Sequence, residues 1–263
     1  MTVRLPAVAG TFYPADPEVL RHTIDALLSD VSGSEPIADD VVAVIVPHAG
    51  YVYSGPTAAV IFSPLSALRG KRDRVLLLGP SHRVGFRGVA APTTAAFRTP
   101  LGDIPLDTEA LERALAFHYV VRHDGPHTHE HSLEVELPFL QRVLGDFTLL
   151  PFSVGEASAE EVAQLIALYA DDSRTLIVIS SDLSHYLPYA QAIATDQVTA
   201  REIVALAPSL SHEQACGATP VNGLLWFARE RGLRMTLVDL RNSGDTAGDK
   251  QRVVGYGAFV LRR

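Results

Sequence analysis

Val41-Val42-Ala43-Val44-Ile45-Val46-Pro47-His48-Ala49-Gly50-Tyr51 is a run of six apolar residues that stops at a proline and presents an imidazole. A short continuous apolar run bounded by a turn signal reads as a strand buried on both faces. Leu76-Leu77-Leu78-Gly79-Pro80-Ser81-His82 and Ile177-Val178-Ile179-Ser180-Ser181-Asp182-Leu183-Ser184-His185 end in a similar way. Three such endings place one site at the carboxyl edge of a sheet, where open α/β folds bind their ligands. Histidine is the commonest metal ligand and a frequent acid or base near neutral pH.

Outward from these runs, helical and extended patterns alternate. Asp16-Pro17-Glu18 opens a helix to about residue 28, with Asp16 as cap and Val19, Thr23 and Leu27 at helical spacing. Further helices are predicted over 57–65 (entered through Gly55-Pro56), 107–117, 133–144, 158–169, 188–205 and 219–231. Strands are predicted over 74–78, 89–92, 101–106, 147–154, 176–180, 235–240 and 254–261, and a loop over 32–36. The alternation predicts an α/β fold. A central, largely parallel or mixed sheet is flanked by helices in one domain spanning residues 1–263.

Composition narrows the function classes. The 263 residues are 47% hydrophobic and 20% charged, which describes a compact globular chain. A net charge of −8 and scattered arginines provide no basic stripe for phosphates, so a nucleic-acid partner is not expected. The single cysteine excludes an intrachain disulfide. The start Met1-Thr2-Val3-Arg4-Leu5-Pro6 lacks the pattern of a signal peptide, and the apolar runs are short and break at Pro or Gly. The expectation is a cytoplasmic protein with no membrane partner.

His48 and His82 are each either a loop histidine or a ligand, and the pair strengthens the ligand reading because neighbouring strands could bring both turns to one ion. Cys216, directly before a helix, has three readings: a small buried hydrophobe, a thiolate ligand, or a nucleophile with a histidine base. A helix N-terminus would lower its thiol pKa. His123, His127, His129, Glu130 and His131 form the densest cluster. His127-Thr128-His129-Glu130-His131 fits the inverted zinc-peptidase pattern, which requires His127 and His131 on one helix face. A loop that aims one or two of these side chains at a pocket is the preferred reading. Asp182 and His185 could pair as carboxylate and imidazole for acid/base work. Glu134 and Glu136 fall on opposite sides of a helix and make no obvious catalytic pair.

Taken together, the motifs resemble the Memo family, also called AmmeMemoRadiSam system protein B. The resemblance runs from near Arg4 to the last strand. It rests on Pro6 to Pro14, Pro47-His48-Ala49-Gly50-Tyr51 with Ser54-Gly55, and Gly79-Pro80-Ser81-His82. It continues through Glu130-His131-Ser132-Leu133-Glu134, Ser180 to His185, and Cys216-Gly217 before Pro220. That family is in turn similar to the class III extradiol dioxygenases. The resemblance implies a metal pocket formed by His48, His82 and Cys216, with His185 as the acid/base residue and Asp182 and His131 lining the pocket. A thiolate in place of the dioxygenase carboxylate makes copper, and also zinc, competitive with iron. The expected activity is iron- or copper-dependent redox chemistry on a small-molecule or peptide ligand. Zinc-dependent hydrolysis and a non-catalytic binding or adaptor module are the alternatives. The family's prokaryotic name implies radical SAM system proteins as partners. Ala218-Thr219 stand where animal relatives carry basic residues, so any substrate contact from those positions does not carry over.

Overall fold

The computed structural model describes residues 2–31 and 40–263, and the loop expected at 32–36 lies outside them. In chain order the strands are β1 (Val3–Arg4), β2 (Val41–Val46), β3 (Arg74–Pro80), β4 (Val89–Ala91), β5 (Ala96–Thr99) and β6 (Gly102–Pro105). They continue with β7 (Val120–Arg122), β8 (Thr148–Val154), β9 (Thr175–Ser180), β10 (His185–Leu187), β11 (Arg234–Asn242) and β12 (Val253–Arg262). The helices are α1 (Pro17–Ser29), α2 (Tyr51–Leu65), α3 (Thr108–Ala114), α4 (Gly125–Thr128), α5 (Leu137–Leu144), α6 (Ala159–Ala170), α7 (Tyr189–Val204) and α8 (Ala218–Glu230).

The large sheet runs β10-β12-β2-β9-β3-β8-β4-β7, with β11 also paired to β12. β2, β9, β3 and β8 are parallel, while β12 joins β2 antiparallel and β4 joins β8 antiparallel. The sheet is therefore mixed around a parallel centre. Every residue of β2 and β9 is buried, which explains their unbroken apolar sequences. β1, β5 and β6 form a separate small sheet.

Helices cover the large sheet in two groups. α6 and α8 pack on each other and against β9 and β3, while α1 and α5 pack on α2, which lies against β12 and β2. One hydrophobic cluster links these layers.

Strand order does the positioning. β9 lies between β2 and β3, so the three histidine-bearing endings are immediate neighbours. Val46 is in register with Ser180, and Leu78 with Ile179. The turns carrying His48, Asp182 and His82 therefore leave the sheet side by side.

Several local expectations change. α1 buries Leu20 and Ile24 rather than the face marked by Val19, which is 53% exposed. Its Asp16 cap is as expected, accepting from the Glu18 and Val19 amides. α2 begins at Tyr51, not residue 57, and carries Pro56 inside it. The carbonyl that Pro56 leaves without a helical partner belongs to Val52, an exposed residue that water can reach. Pro138 sits in the first turn of α5, where its missing N–H is harmless, and a 3₁₀ turn over Glu134–Glu136 precedes it. α3 stops at Ala114, three residues short of expectation, and β1, β5, β7, β10 and α4 were not expected from the sequence.

Candidate metal centre

Among the described residues, His48, His82 and His131 bring one potential ligand atom each to within 4.8 Å of one another. Their ring centroids are 5.3 Å apart for His48–His82, 5.3 Å for His48–His131 and 4.7 Å for His82–His131. His48 follows β2, His82 follows β3, and His131 comes from the loop after α4.

The His48 and His82 rings are held through Nδ1. His48 Nδ1 lies 2.7 Å from Ser180 Oγ, and His82 Nδ1 lies 2.8 Å from Glu130 Oε1. His131 Nδ1 is 3.3 Å from the same carboxylate oxygen. Engaging Nδ1 in the His48 and His82 rings leaves Nε2 as the donor atom of each, the usual outer arrangement of metal-binding histidines. Burial, and then the neighbouring imidazoles, push the His48 pKa well below its ordinary value. Burial likewise takes His131 down to about 4. Both rings are therefore neutral near pH 7, as ligation requires. This donor set fits a transition-metal ion.

Glu130 organises two of the three rings. It is buried and accepts from the His82 amide at 2.5 Å, the His131 amide at 3.0 Å and the Ser132 amide at 2.9 Å, besides His82 Nδ1. Burial opposes its charge, but the His82 and Ser132 hydrogen bonds outweigh it and hold the carboxyl at about 2.

Cys216 adjoins the cluster, with Sγ 3.3 Å from His48 Nε2. Gly217 makes this approach possible. A Cβ there would lie 2.7 Å from Ser181 Cβ and 2.8 Å from the Ser180 carbonyl oxygen, contacts that only glycine avoids. The expected lowering of the thiol pKa by a helix N-terminus is corrected. Burial, followed by the Asp182 carboxyl, pushes Cys216 up to about 12. Desolvation of the sulfur outweighs the helix end.

Asp182 and His185 do not pair with each other. Asp182 Oδ1 accepts the His48 amide at 2.8 Å, so it braces the first histidine turn from the neighbouring strand. Burial raises its pKa to about 7. His185 Nδ1 donates to the Leu183 carbonyl at 2.8 Å, and burial lowers its pKa. His185 lines a cleft of about 640 Å³ together with His82, Tyr186, His212, Gln214 and Cys216.

An N-terminal arm covers the other side. The Phe12 ring lies 4.8 Å from that of His131, and the Phe12 carbonyl accepts the Tyr51 amide at 2.8 Å. Gly10, at φ +85°, makes the turn that brings the arm back, with its amide donating to the Tyr13 carbonyl at 2.7 Å. Glu134 clamps this arm. Its buried carboxylate accepts from Arg4, from the Ala7 and Val8 amides at 2.7 and 3.0 Å, and from the Tyr13 hydroxyl at 2.5 Å.

The inverted zinc-peptidase pattern does not form. α4 ends at Thr128, and His127 points its Nε2 to the Ala90 carbonyl at 3.0 Å in the core. His127 has a different consequence. Burial lowers its pKa to about 4, against 6.5 in the unfolded chain. A depressed folded pKa gives stability that is present above pH 6.5 and lost as pH falls through 4. The loss from this one group approaches about 3 kcal/mol at 1.4 kcal/mol per unit. Chemical denaturation at pH 7 and pH 4 should show a clearly shallower acid loss in His127→Gln. An unchanged slope would remove His127 from the acid response.

Of the six residues named from the sequence, His48, His82 and His131 form the cluster, Cys216 lies against His48, Asp182 braces the His48 turn and His185 lines the adjoining cleft; the third member of the cluster is thus His131, where the resemblance implied Cys216. Sequence reasoning missed the supports: Ser180 behind His48, Glu130 as a brace, and Glu136 behind Ser180. The only available signal was polar residues inside or next to apolar runs.

The Memo-like protein family matches residues 4–260. A MEMO1 family protein of Methanococcoides burtonii is 37% identical over 99% of this chain and 100% of its own length. MEMO1 family proteins of Aquifex aeolicus and Archaeoglobus fulgidus are each 36% identical, again over 99% and 100%. Among solved structures, an uncharacterized Escherichia coli K12 protein, JW3007, superposes with a TM-score of 0.52 at 15% identity, over 81% of this chain and 98% of its own; that likeness concerns the fold alone. No helix among the described residues is long and apolar enough to cross a membrane. With the sequence match running from the first short strand to the last, the chain belongs to the Memo-like protein family.

Proposed function

We propose that the chain is a metal-dependent redox enzyme whose ion, iron or copper, is held by His48, His82 and Cys216. The observation that carries this reading is the convergence of the His48 and His82 imidazoles, with the Cys216 sulfur 3.3 Å from His48 Nε2; His131, the third imidazole of the cluster, is the competing third ligand. A thiolate at about 2.3 Å and an imidazole at about 2.0 Å from one tetrahedral ion lie roughly 3.5 Å apart, close to the spacing found. Imidazole suits iron, copper and zinc alike, and the thiolate favours the softer ions. When bound, iron or copper supplies electron-transfer chemistry that the side chains lack.

The protein groups have separable tasks. His185 spends Nδ1 on the Leu183 carbonyl and keeps Nε2 to take or return a proton in the cleft. Asp182 holds the His48 turn in place. His131, neutral, stacked on His82 and tilted against Phe12, lines the pocket beside the ligands. The Phe12 arm keeps water from that side of the cluster.

Elemental analysis of protein purified without added metal and without oxygen should find about one iron or copper per chain. Cys216→Ala and His82→Ala should each release it, whereas His131→Ala should retain most of it. Retention in Cys216→Ala with loss in His131→Ala would replace the thiolate set with three imidazoles. Stoichiometric zinc would turn the reading to hydrolysis through an acidified water. Protein that binds none of the three ions would overturn it.

A further inference from the structure

Behind His48, on the side away from Cys216, lies a buried chain of polar groups that the metal reading does not use. Ser180 Oγ has three neighbours: His48 Nδ1 at 2.7 Å, the Ser132 carbonyl oxygen at 2.6 Å and Glu136 Oε1 at 3.0 Å. A hydroxyl offers one proton and two lone pairs. The Ser132 carbonyl can only accept, and its short contact takes the serine proton. The two remaining neighbours must then both donate to Ser180. His48 does so as Nδ1–H, and Glu136 can do so only as a carboxylic acid.

The surroundings of Glu136 agree. The residue is fully buried, and its second oxygen, Oε2, has no hydrogen-bond partner. Among the described residues no cation is paired with it, and the charged group that acts on it is another carboxyl, Asp182. An ionised carboxylate here would press lone pairs against Ser180 Oγ and leave a buried charge uncompensated. Burial, and after it Asp182, push its pKa well above the usual carboxylate range, although Ser180 opposes this.

We propose that Glu136 is a positioning residue that carries its proton at neutral pH and, through Ser180, holds His48 as the Nδ1–H tautomer with Nε2 bare. The consequence for function rests on the reading of His48 as a ligand, because that tautomer keeps Nε2 free for an ion. The tautomer itself does not depend on any ion being bound. Glu136→Gln preserves the shape and offers an amide N–H to Ser180, whereas Glu136→Ala leaves Ser180 without its second donor.

Three measurements test this. The infrared difference between wild type and Glu136→Gln at pH 7 should contain the C=O band of a protonated acid, shifted in deuterium oxide. Nitrogen-15 shifts of metal-free wild-type protein should report His48 protonated at Nδ1. Titration with cobalt(II) alone should give similar affinities for wild type and Glu136→Gln, and a loss of about ten- to a hundredfold in Glu136→Ala. No acid band, an Nε2–H His48, or a Glu136→Gln affinity as poor as that of Glu136→Ala would each overturn the assignment. If wild type binds no cobalt but shows the acid band and the Nδ1–H tautomer, the ligand reading fails and the relay stands.

Discussion

Glu134→Ala should destabilise the protein by about 4 kcal/mol, the range found when one partner of a buried ion pair is removed. Four donors converge on this carboxylate from the N-terminal arm: Arg4, the Ala7 and Val8 amides, and the Tyr13 hydroxyl. Arg4 is itself buried and donates further to the His127 and Glu130 carbonyls, so it cannot escape to solvent without pulling on the Glu130 loop. Glu134→Gln should lose nearly as much, because one of its two acceptors becomes an N–H₂ group facing other donors. For a chain of this size the loss corresponds to roughly a 10 °C fall in Tm. Hydrogen exchange at Ala7 and Val8 should accelerate well before global unfolding, and Phe12 should leave His131 at the same time. A loss below about 1 kcal/mol would mean that the arm is held by packing and not by this clamp.

The second large effect concerns Glu130. Glu130→Ala should weaken binding of cobalt(II) by about a hundredfold, at the upper end of what outer supports of a metal site contribute. The substitution frees the His82 ring and strands three backbone amides, those of His82, His131 and Ser132. Glu130→Gln retains an oxygen at the position that serves His82 Nδ1, His131 and Ser132, so its loss should be nearer tenfold. Isothermal titration of both variants would separate these cases. Equal affinities for Glu130→Ala and wild type would show that His82 is not oriented through this carboxylate.

The parts of the fold that could be read from sequence share one property: local residues decide them. Val41–Val46, Arg74–Pro80 and Thr175–Ser180 announce themselves because strands buried on both faces need uninterrupted apolar side chains. Their polar endings mark the sheet edge, so His48, His82 and the Asp182–His185 turn were visible as a group. What stayed hidden depends on residues far apart in the chain. β1 is two residues long and exists because it pairs with β5, more than ninety residues on. Pro56 looked like a helix start, yet tertiary packing of Tyr51 and Ser54 extends α2 in front of it. Glu134 and Glu136 looked like two unrelated acids on a helix. One proves to clamp the arm and the other to back a histidine, roles set by Arg4 and by Ser180. The histidine-rich segment is the loop expected, with His131 aimed at the cluster, but no spacing rule separates it from His127, which serves the core.

His48 and Cys216 stand 168 positions apart, yet their side chains touch. Contacts between such distant positions form late in folding, because the loop they close is long and its entropy must be overcome first. During synthesis, the two imidazole turns after β2 and β3 are present long before the sulfur emerges. An ion that requires all three residues therefore cannot be fully captured by a nascent chain. Under the proposed ligand set it would be taken up only once α8 has docked and Gly217 has seated against Ser181, so that full metal loading would mark completed folding and would close by coordination the long-range contact between His48 and Cys216.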